Sequence, residues 1–189
     1  MDISMNINAS IIDQRITGII ETYKDWFHQA DMSRKKSAAF ILLCMSTCLE
    51  IPIEEAIYLF TDGGNDAGVD GIHIGDIEDG EFLATLFQGK YTIGDLQGNA
   101  NFPENGLQKA INTVNILFDP YKNIVLNDKI APKIEEICSL IRDAYLPTVR
   151  FILCNNGLSW NKQSEILIQE AKKKNMVTEL NSFILIMTI

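Results

Sequence analysis

The spacing of apolar residues predicts that the first third of the chain is helical. One stripe recurs at intervals of three and four, which is typical of an amphipathic helix; its members are Ile11, Ile12, Ile16, Ile19, Ile20, Tyr23 and Phe27. A second helix is predicted from Arg34 to about Leu49, with Met32-Ser33 as its cap. Ile51-Pro52 ends that helix because proline cannot continue it, and residues 53–60 form a short third helix.

Two strands are predicted in the middle of the chain, on either side of an acidic turn. The turn-forming residues 61–66 precede the first strand, Val69 to Ile74. After the turn at residues 75–80, the second strand runs from Phe82 to Tyr91. Because its sequence FLATLFQGKY is apolar nearly throughout, we expect it in the centre of a sheet that is covered on both faces.

The remainder predicts further helices around one more strand. Residues 107–118 have helical periodicity, and residues 123–145 are predicted as a long helix that restarts at Pro132. Residues 149–154, with the sequence VRFILC, form a short apolar strand, and residues 159–174 form another helix. The order of elements predicts an α/β fold with a mixed central sheet flanked by helices.

Length and composition fit one globular domain with a helical extension. The chain has 189 residues, of which 47% are hydrophobic and 22% charged. We expect residues 1–50 to form an N-terminal helical region packed on a core of residues 51–189. The apolar end, residues 183–189, is either a strand of this sheet or a sign that the chain is the N-terminal part of a longer protein.

The cysteine, histidine and charged-residue content bears on the cellular compartment and on the kinds of ligand that the protein can bind. Four scattered cysteines without a CxxC pair, together with two histidines, argue against a zinc site and favour a reducing cytoplasm. No signal peptide or membrane-spanning segment is predicted, so no membrane is expected among the partners. A formal net charge of −9 is unusual for a protein that binds nucleic acid, although a local basic groove remains compatible with it.

The polar residues near the two central strands form the main candidate site. Asp66 and Asp70 lie in the glycine-rich run before the first strand, and Gln88 and Lys90 end the second. Residues two apart on a strand share a face, so Gln88 and Lys90 point the same way. If the hairpin turn is centred near Glu78, antiparallel pairing brings Asp70 alongside Phe87 and Gln88.

These residue types match the needs of phosphodiester cleavage. A carboxylate and an amide oxygen suit a hard cation such as Mg²⁺, and a lysine can offset charge that develops on phosphorus. A purely structural interpretation is also available. The two aspartates could make Asx-turns, and Lys90 could extend from the end of its strand into water.

The motifs resemble a known superfamily of nucleases. The run GGNDAGVDGIHI followed by LFQGKY resembles the Mrr-like branch of the PD-(D/E)xK superfamily. With the later stretch IRDAYLPTVRFILCNNG, it resembles more closely the N-terminal region of abortive infection phage-resistance (AIPR) proteins. The likeness covers residues 53–160. It implies a restriction-endonuclease-like α-β-β-β-α-β core, whose first strand would be the short stretch from Tyr58 to Thr61.

The resemblance also implies roles for individual residues. Asp70 matches the metal-binding aspartate, Gln88 the acidic or amide position of the second motif, and Lys90 its lysine. Asp66 matches the first aspartate of the glycine-rich run, a further metal ligand. Glu55, and after it Glu54, are the available choices for the glutamate that superfamily members often contribute from the preceding helix. Glutamine in place of glutamate removes one negative charge from the site.

Two functions follow as hypotheses. The first is a Mg²⁺- or Mn²⁺-dependent endonuclease that cleaves DNA in anti-phage defence. The second is a catalytically inactive module that keeps the nuclease fold for binding nucleic acid or protein; the net charge and Gln88 favour it. The sequence leaves RNA as a target and assembly into a homo-oligomer open.

Overall fold

The chain forms six helices and four strands within the residues that the computed structural model describes, which are 3–28, 30–92, 102, 104–117, 124–157, 161–177 and 183–187. The helices are α1 (Ile3–Thr22), α2 (Met32–Leu49), α3 (Ile53–Leu59), α4 (Glu104–Leu117), α5 (Ala131–Arg142) and α6 (Lys162–Val177). The strands are β1 (Gly71–Ile74), β2 (Glu81–Lys90), β3 (Leu146–Asn155) and β4 (Phe183–Met187).

The strands form one mixed sheet in the order β1-β2-β3-β4. β1 pairs with β2 in antiparallel fashion, whereas β2–β3 and β3–β4 are parallel pairs. The return from β2 to β3 needs a long crossover, which α4 and α5 provide. The predicted α/β class, the antiparallel hairpin and the third strand are therefore confirmed.

Helices cover both faces of the sheet, as the apolar sequence of β2 predicted. Phe87 of β2 and Ile152 and Cys154 of β3 pack in one core cluster with α1, α2 and α3. The neighbouring residues Leu86 and Leu153 point to the other face and pack with α4, α5 and α6. Successive side chains of each strand thus pack in the core clusters on opposite faces of the sheet, which is the period-two pattern of a central strand.

Two glycines let α2 lie close to the sheet beside the candidate site. A Cβ on Gly89 would collide with the side chain of Ile41, and one on Gly71 would collide with the sulfur of Met45. Residues 39–45 of α2 are all buried. Because the interior is close-packed, a larger residue at either glycine would have to displace the Ile41 or Met45 side chain from its place against the sheet.

The length and apolar character of the described helices bear on whether any of them could span a membrane. No single one of them combines the length and the apolar character of a membrane span, and the bent pair of α2 and α3 reaches that length and composition only when the two are taken together.

Three sequence predictions were wrong in detail. The helix predicted over residues 123–145, with a restart at Pro132, is confirmed only from that restart: α5 begins at Ala131. The described residues before it are not helical, because the Asn127 side chain accepts hydrogen bonds from the N–H groups of Lys129 and Ile130 and holds a turn there. The strand expected from Tyr58 to Thr61 is reduced to one isolated bridge, since α3 extends to Leu59.

The third correction concerns the start of α2. Its N-cap is Asp31, whose carboxylate accepts a hydrogen bond from the N–H of Arg34 at 2.9 Å. Met32 and Ser33, which the sequence predicted as the cap, are already helical. A carboxylate at this position satisfies one of the free N–H groups of the first turn.

Candidate metal centre

The sheet brings Asp70, Gln88 and Lys90 to one face. Asp70 lies directly before β1, and its N–H donates to the carbonyl of Phe87 at 2.8 Å. Since Gly71 pairs with Phe87, Asp70 lies opposite Gln88 when the register is extended by one residue. Alternation then places all three side chains on the face covered by α4, α5 and α6.

Gln88 is the most informative residue of the group. It is 2% exposed, yet its Oε1 atom has no hydrogen-bond partner among the residues that the structure describes. A buried polar atom without a partner costs about 1–3 kcal/mol, so such atoms are rare in folded proteins and call for an explanation. An amide oxygen at this position, opposite a carboxylate, is a suitable ligand for a hard cation.

Three carboxylates converge next to this amide. One oxygen each from Asp62, Asp66 and Asp70 can be chosen so that all three lie within 4.8 Å of one another. The sequence analysis selected Asp66 and Asp70 but missed Asp62. The only available signal was its position in the same glycine-rich run, because the loop that folds it back depends on distant contacts.

The Asp66 carboxylate also shapes the loop that carries the cluster. It accepts hydrogen bonds from the N–H of Gly68 at 2.6 Å and from the N–H of Gly63 at 3.3 Å. Asn65 and Ala67 both have positive φ angles, of 60° and 55°. The Asx-turn interpretation therefore holds for Asp66. It does not hold for Asp70, whose carboxylate accepts from a neighbouring strand.

The environment of Asp70 strongly disfavours its charge. The pKa of its half-buried carboxyl group is raised to about 7, first because burial removes water from it and further by the charges of Asp62 and Asp66. A hydrogen bond from the N–H of Gly89, at 2.7 Å, and the positive charge of Lys90 act in the opposite direction. Without a cation, this carboxyl group is about half protonated at neutral pH.

Asp62 shows the same crowding nearer the surface. Although its side chain is exposed as a whole, its pKa is raised, first because the carboxyl group loses water and then by the charge of Asp66 and a hydrogen bond to it. Lys129 lowers it in part. Carboxyl groups this close to one another favour a shared proton or a bound cation.

Helix α4 and the segment before α5 hold the acidic loop in place. Thr113 of α4 donates a hydrogen bond to the carbonyl of Ala67, and the ammonium of Lys109 lies 3.9 Å from Asp66 Oδ1. Asn127 donates to the carbonyl of Thr61 through its side chain, at 3.1 Å, and to that of Asn65 through its backbone, also at 3.1 Å. Sequence patterns did not point to Asn127.

Lys90 completes the site from the end of β2. Its side chain is exposed and its charge acts on Asp70. The Cε atom lies 3.7 Å from where a Cβ on Gly106 would stand, so Lys90 borders the first turn of α4. The N-terminus of a helix carries partial positive charge. Lys90 and this helix end together form the positive border of an otherwise acidic site.

The remaining predicted site residue lies apart from the cluster. Glu55 is exposed on α3 and is not part of the carboxylate group found among the described residues. Its catalytic role stays a prediction. His73 of β1 lies on the opposite face of the sheet from Asp70, because side chains three residues apart on an extended chain point to opposite faces.

The donor set fits a divalent cation such as Mg²⁺ or Mn²⁺. Asp62, Asp66 and Asp70 would provide charged oxygens and Gln88 a neutral one, and hard cations prefer oxygen ligands of both kinds. Comparisons of this chain with protein-family models, curated proteins and solved structures found no match.

Proposed function

We propose that this protein is a metal-dependent nuclease that hydrolyses phosphodiester bonds at the site formed by Asp62, Asp66, Asp70, Gln88 and Lys90. The observation that carries the proposal is the buried Oε1 of Gln88, which lies opposite Asp70 and has no hydrogen-bond partner among the described residues. An acidic cluster alone is common on protein surfaces. A buried amide oxygen free to accept, on the same face as such a cluster, adds the neutral oxygen ligand that a hard cation can use.

The proposal includes the PD-(D/E)xK superfamily and, within it, a likeness to AIPR proteins. Its support is the glycine-rich run before β1, the sequence FQGKY at the end of β2 and the mixed sheet between helical layers. A role in anti-phage defence, with DNA as the substrate, follows from that likeness. In place of the first core strand, this chain has only the bridge between Phe60 and Gly71.

The residues divide the work of hydrolysis between them. A bound Mg²⁺ or Mn²⁺ supplies Lewis-acid activation of the phosphoryl group and of water. Asp70 and Gln88 would hold it against the sheet, because Gln88 lies in β2 and Asp70, directly before β1, is bonded to β2 through its N–H. Lys90 faces the same region and offsets the negative charge that grows on the phosphoryl oxygens. The first turn of α4 adds its partial positive charge beside Lys90.

Cleavage of a supercoiled plasmid with Mg²⁺ or Mn²⁺ tests the proposal. Lys90→Ala should leave folding and metal binding unchanged and slow cleavage about a hundredfold, the usual effect of losing one transition-state contact. Lys24→Ala is the matched control, since Lys24 is exposed on the side of α1 and α2. Equal cleavage by wild type and Lys90→Ala would refute the assigned role of Lys90.

The second candidate is a non-catalytic module that binds nucleic acid or protein. Two features favour it. The neutral Gln88 attracts a cation less than a glutamate would, and the net charge of −9 weakens the attraction for a polyanion. The same assay separates the two: a metal-binding protein that never nicks the plasmid, in any variant, is the module.

A further inference from the structure

A groove beside the acidic cluster has a lining unlike the cluster itself. It has a volume of about 740 Å³ and is lined by α4, by residues 124–126 and by residues 65–67, among them Asp66. Among its described lining residues, only Asp66 and Lys109 are charged, and they lie 3.9 Å apart. The groove is therefore close to neutral, in contrast to the carboxylates that adjoin it.

One wall of the groove is a row of amides. Asn105, Gln108 and Asn112 of α4 are spaced three and four apart, so they follow one face of the helix. All three are exposed, and Gln108 Nε2 lies 3.4 Å from Asn112 Oδ1. Each amide offers both donors and an acceptor on a short, flat group.

The opposite wall is apolar and open. Val125 is 81% exposed and Ile124 is 37% exposed, so both present apolar surface to the groove. A ligand that fits between these walls needs a flat apolar face and a polar edge. Nucleobases have this combination, and asparagine and glutamine pair with base edges through two hydrogen bonds.

We infer that this amide groove binds unpaired nucleobases next to the phosphodiester bond that is cleaved. The inference rests on the proposed function, because Asp66 joins the groove to the metal centre. A concave pocket of this volume can hold a nucleotide or two, and a base reaches it only when it is out of a duplex.

Fluorescence anisotropy in Ca²⁺ tests the groove, with labelled single strands of oligo(dA) and oligo(rA) and an oligo(dA)–oligo(dT) duplex, all about 12 nucleotides long. Wild type should bind one or both single strands at least about tenfold more tightly than the duplex. The two single strands distinguish DNA from RNA as the source of the base. The double variant Gln108→Ala/Asn112→Ala should lose about tenfold or more in affinity for the preferred single strand.

Gln169→Ala is the control, since Gln169 is an exposed amide on α6. The inference is overturned if the duplex binds as tightly as both single strands, or if the double variant binds as wild type does. Neither result depends on cleavage. If the protein binds single strands through the amides but never cleaves them, the groove inference stands and the proposed nuclease function fails. If the protein cleaves but the double variant binds single strands as tightly as wild type, only the groove inference fails.

Discussion

Replacing Asp70 by asparagine should stabilise the metal-free protein at alkaline pH. The carboxyl group of Asp70 is held in a place that opposes its charge, since its pKa rises from 3.8 to about 7 on folding. Asparagine has the same shape, stays neutral and can still accept the hydrogen bond from the N–H of Gly89. The substitution therefore removes the unfavourable charge and keeps the contact.

The size of the effect follows from the shift in pKa. A group whose pKa is higher in the folded state stabilises the fold when protonated, and this contribution is lost as pH rises from about 4 to about 7. A shift of about three units corresponds to about 4 kcal/mol. Asp70→Asn should therefore exceed wild type in free energy of unfolding by up to about 4 kcal/mol at pH about 8, and by about 2 kcal/mol at pH about 5.

Urea denaturation in the presence of a chelator measures these differences. Asp79→Asn is the control, because Asp79 is exposed in the turn between β1 and β2. Saturating Mn²⁺ should reverse the order at pH about 8, since the cation stabilises the folded wild type by mass action. A gain for Asp70→Asn that is absent, or that is the same at both pH values, would contradict the assigned environment of Asp70.

Two further substitutions test the frame around the site. Asn127→Ala should lower the free energy of unfolding by about 1–3 kcal/mol, because the carbonyl of Thr61 loses its donor and the turn before α5 loses its acceptor. Asn127→Asp keeps only the acceptor, so its free energy of unfolding, measured by urea denaturation, should lie between those of wild type and Asn127→Ala. Gly89→Ala should cost about 1–3 kcal/mol or more through the clash with Ile41, whereas Gly64→Ala, in open space, should leave the melting temperature nearly unchanged.

The part of the site on the sheet could be predicted because strand geometry is local. The turn at residues 75–80 sets the hairpin register, and the register sets which residue faces Asp70. Gln88 and Lys90 were predicted to share one face for the same reason, because side chains two residues apart on a strand point the same way. The continuous apolar sequences of β2 and β3 likewise predict a sheet that is covered on both sides. The pairing of the two strands and the core cluster on each face confirm this.

The acidic loop could not be predicted in the same way. Asp62 joins the other carboxylates only because Asn127, Thr113 and Lys109 hold the loop from positions far along the chain. The non-helical start of the predicted long helix has the same origin. The side chain of Asn127 binds nearby backbone groups that a helix would otherwise use, and helical periodicity does not register this competition.

Calorimetric titration with Mn²⁺ at pH about 8 tests the central claim, a divalent-cation site at Asp70 and Gln88, most directly. Wild type and the exposed-turn control Asp79→Asn should bind one ion with the same affinity. Asp70→Asn should bind at least about tenfold more weakly, because it removes a charged ligand. Equal affinity in wild type and Asp70→Asn would contradict the metal centre and with it the proposed nuclease.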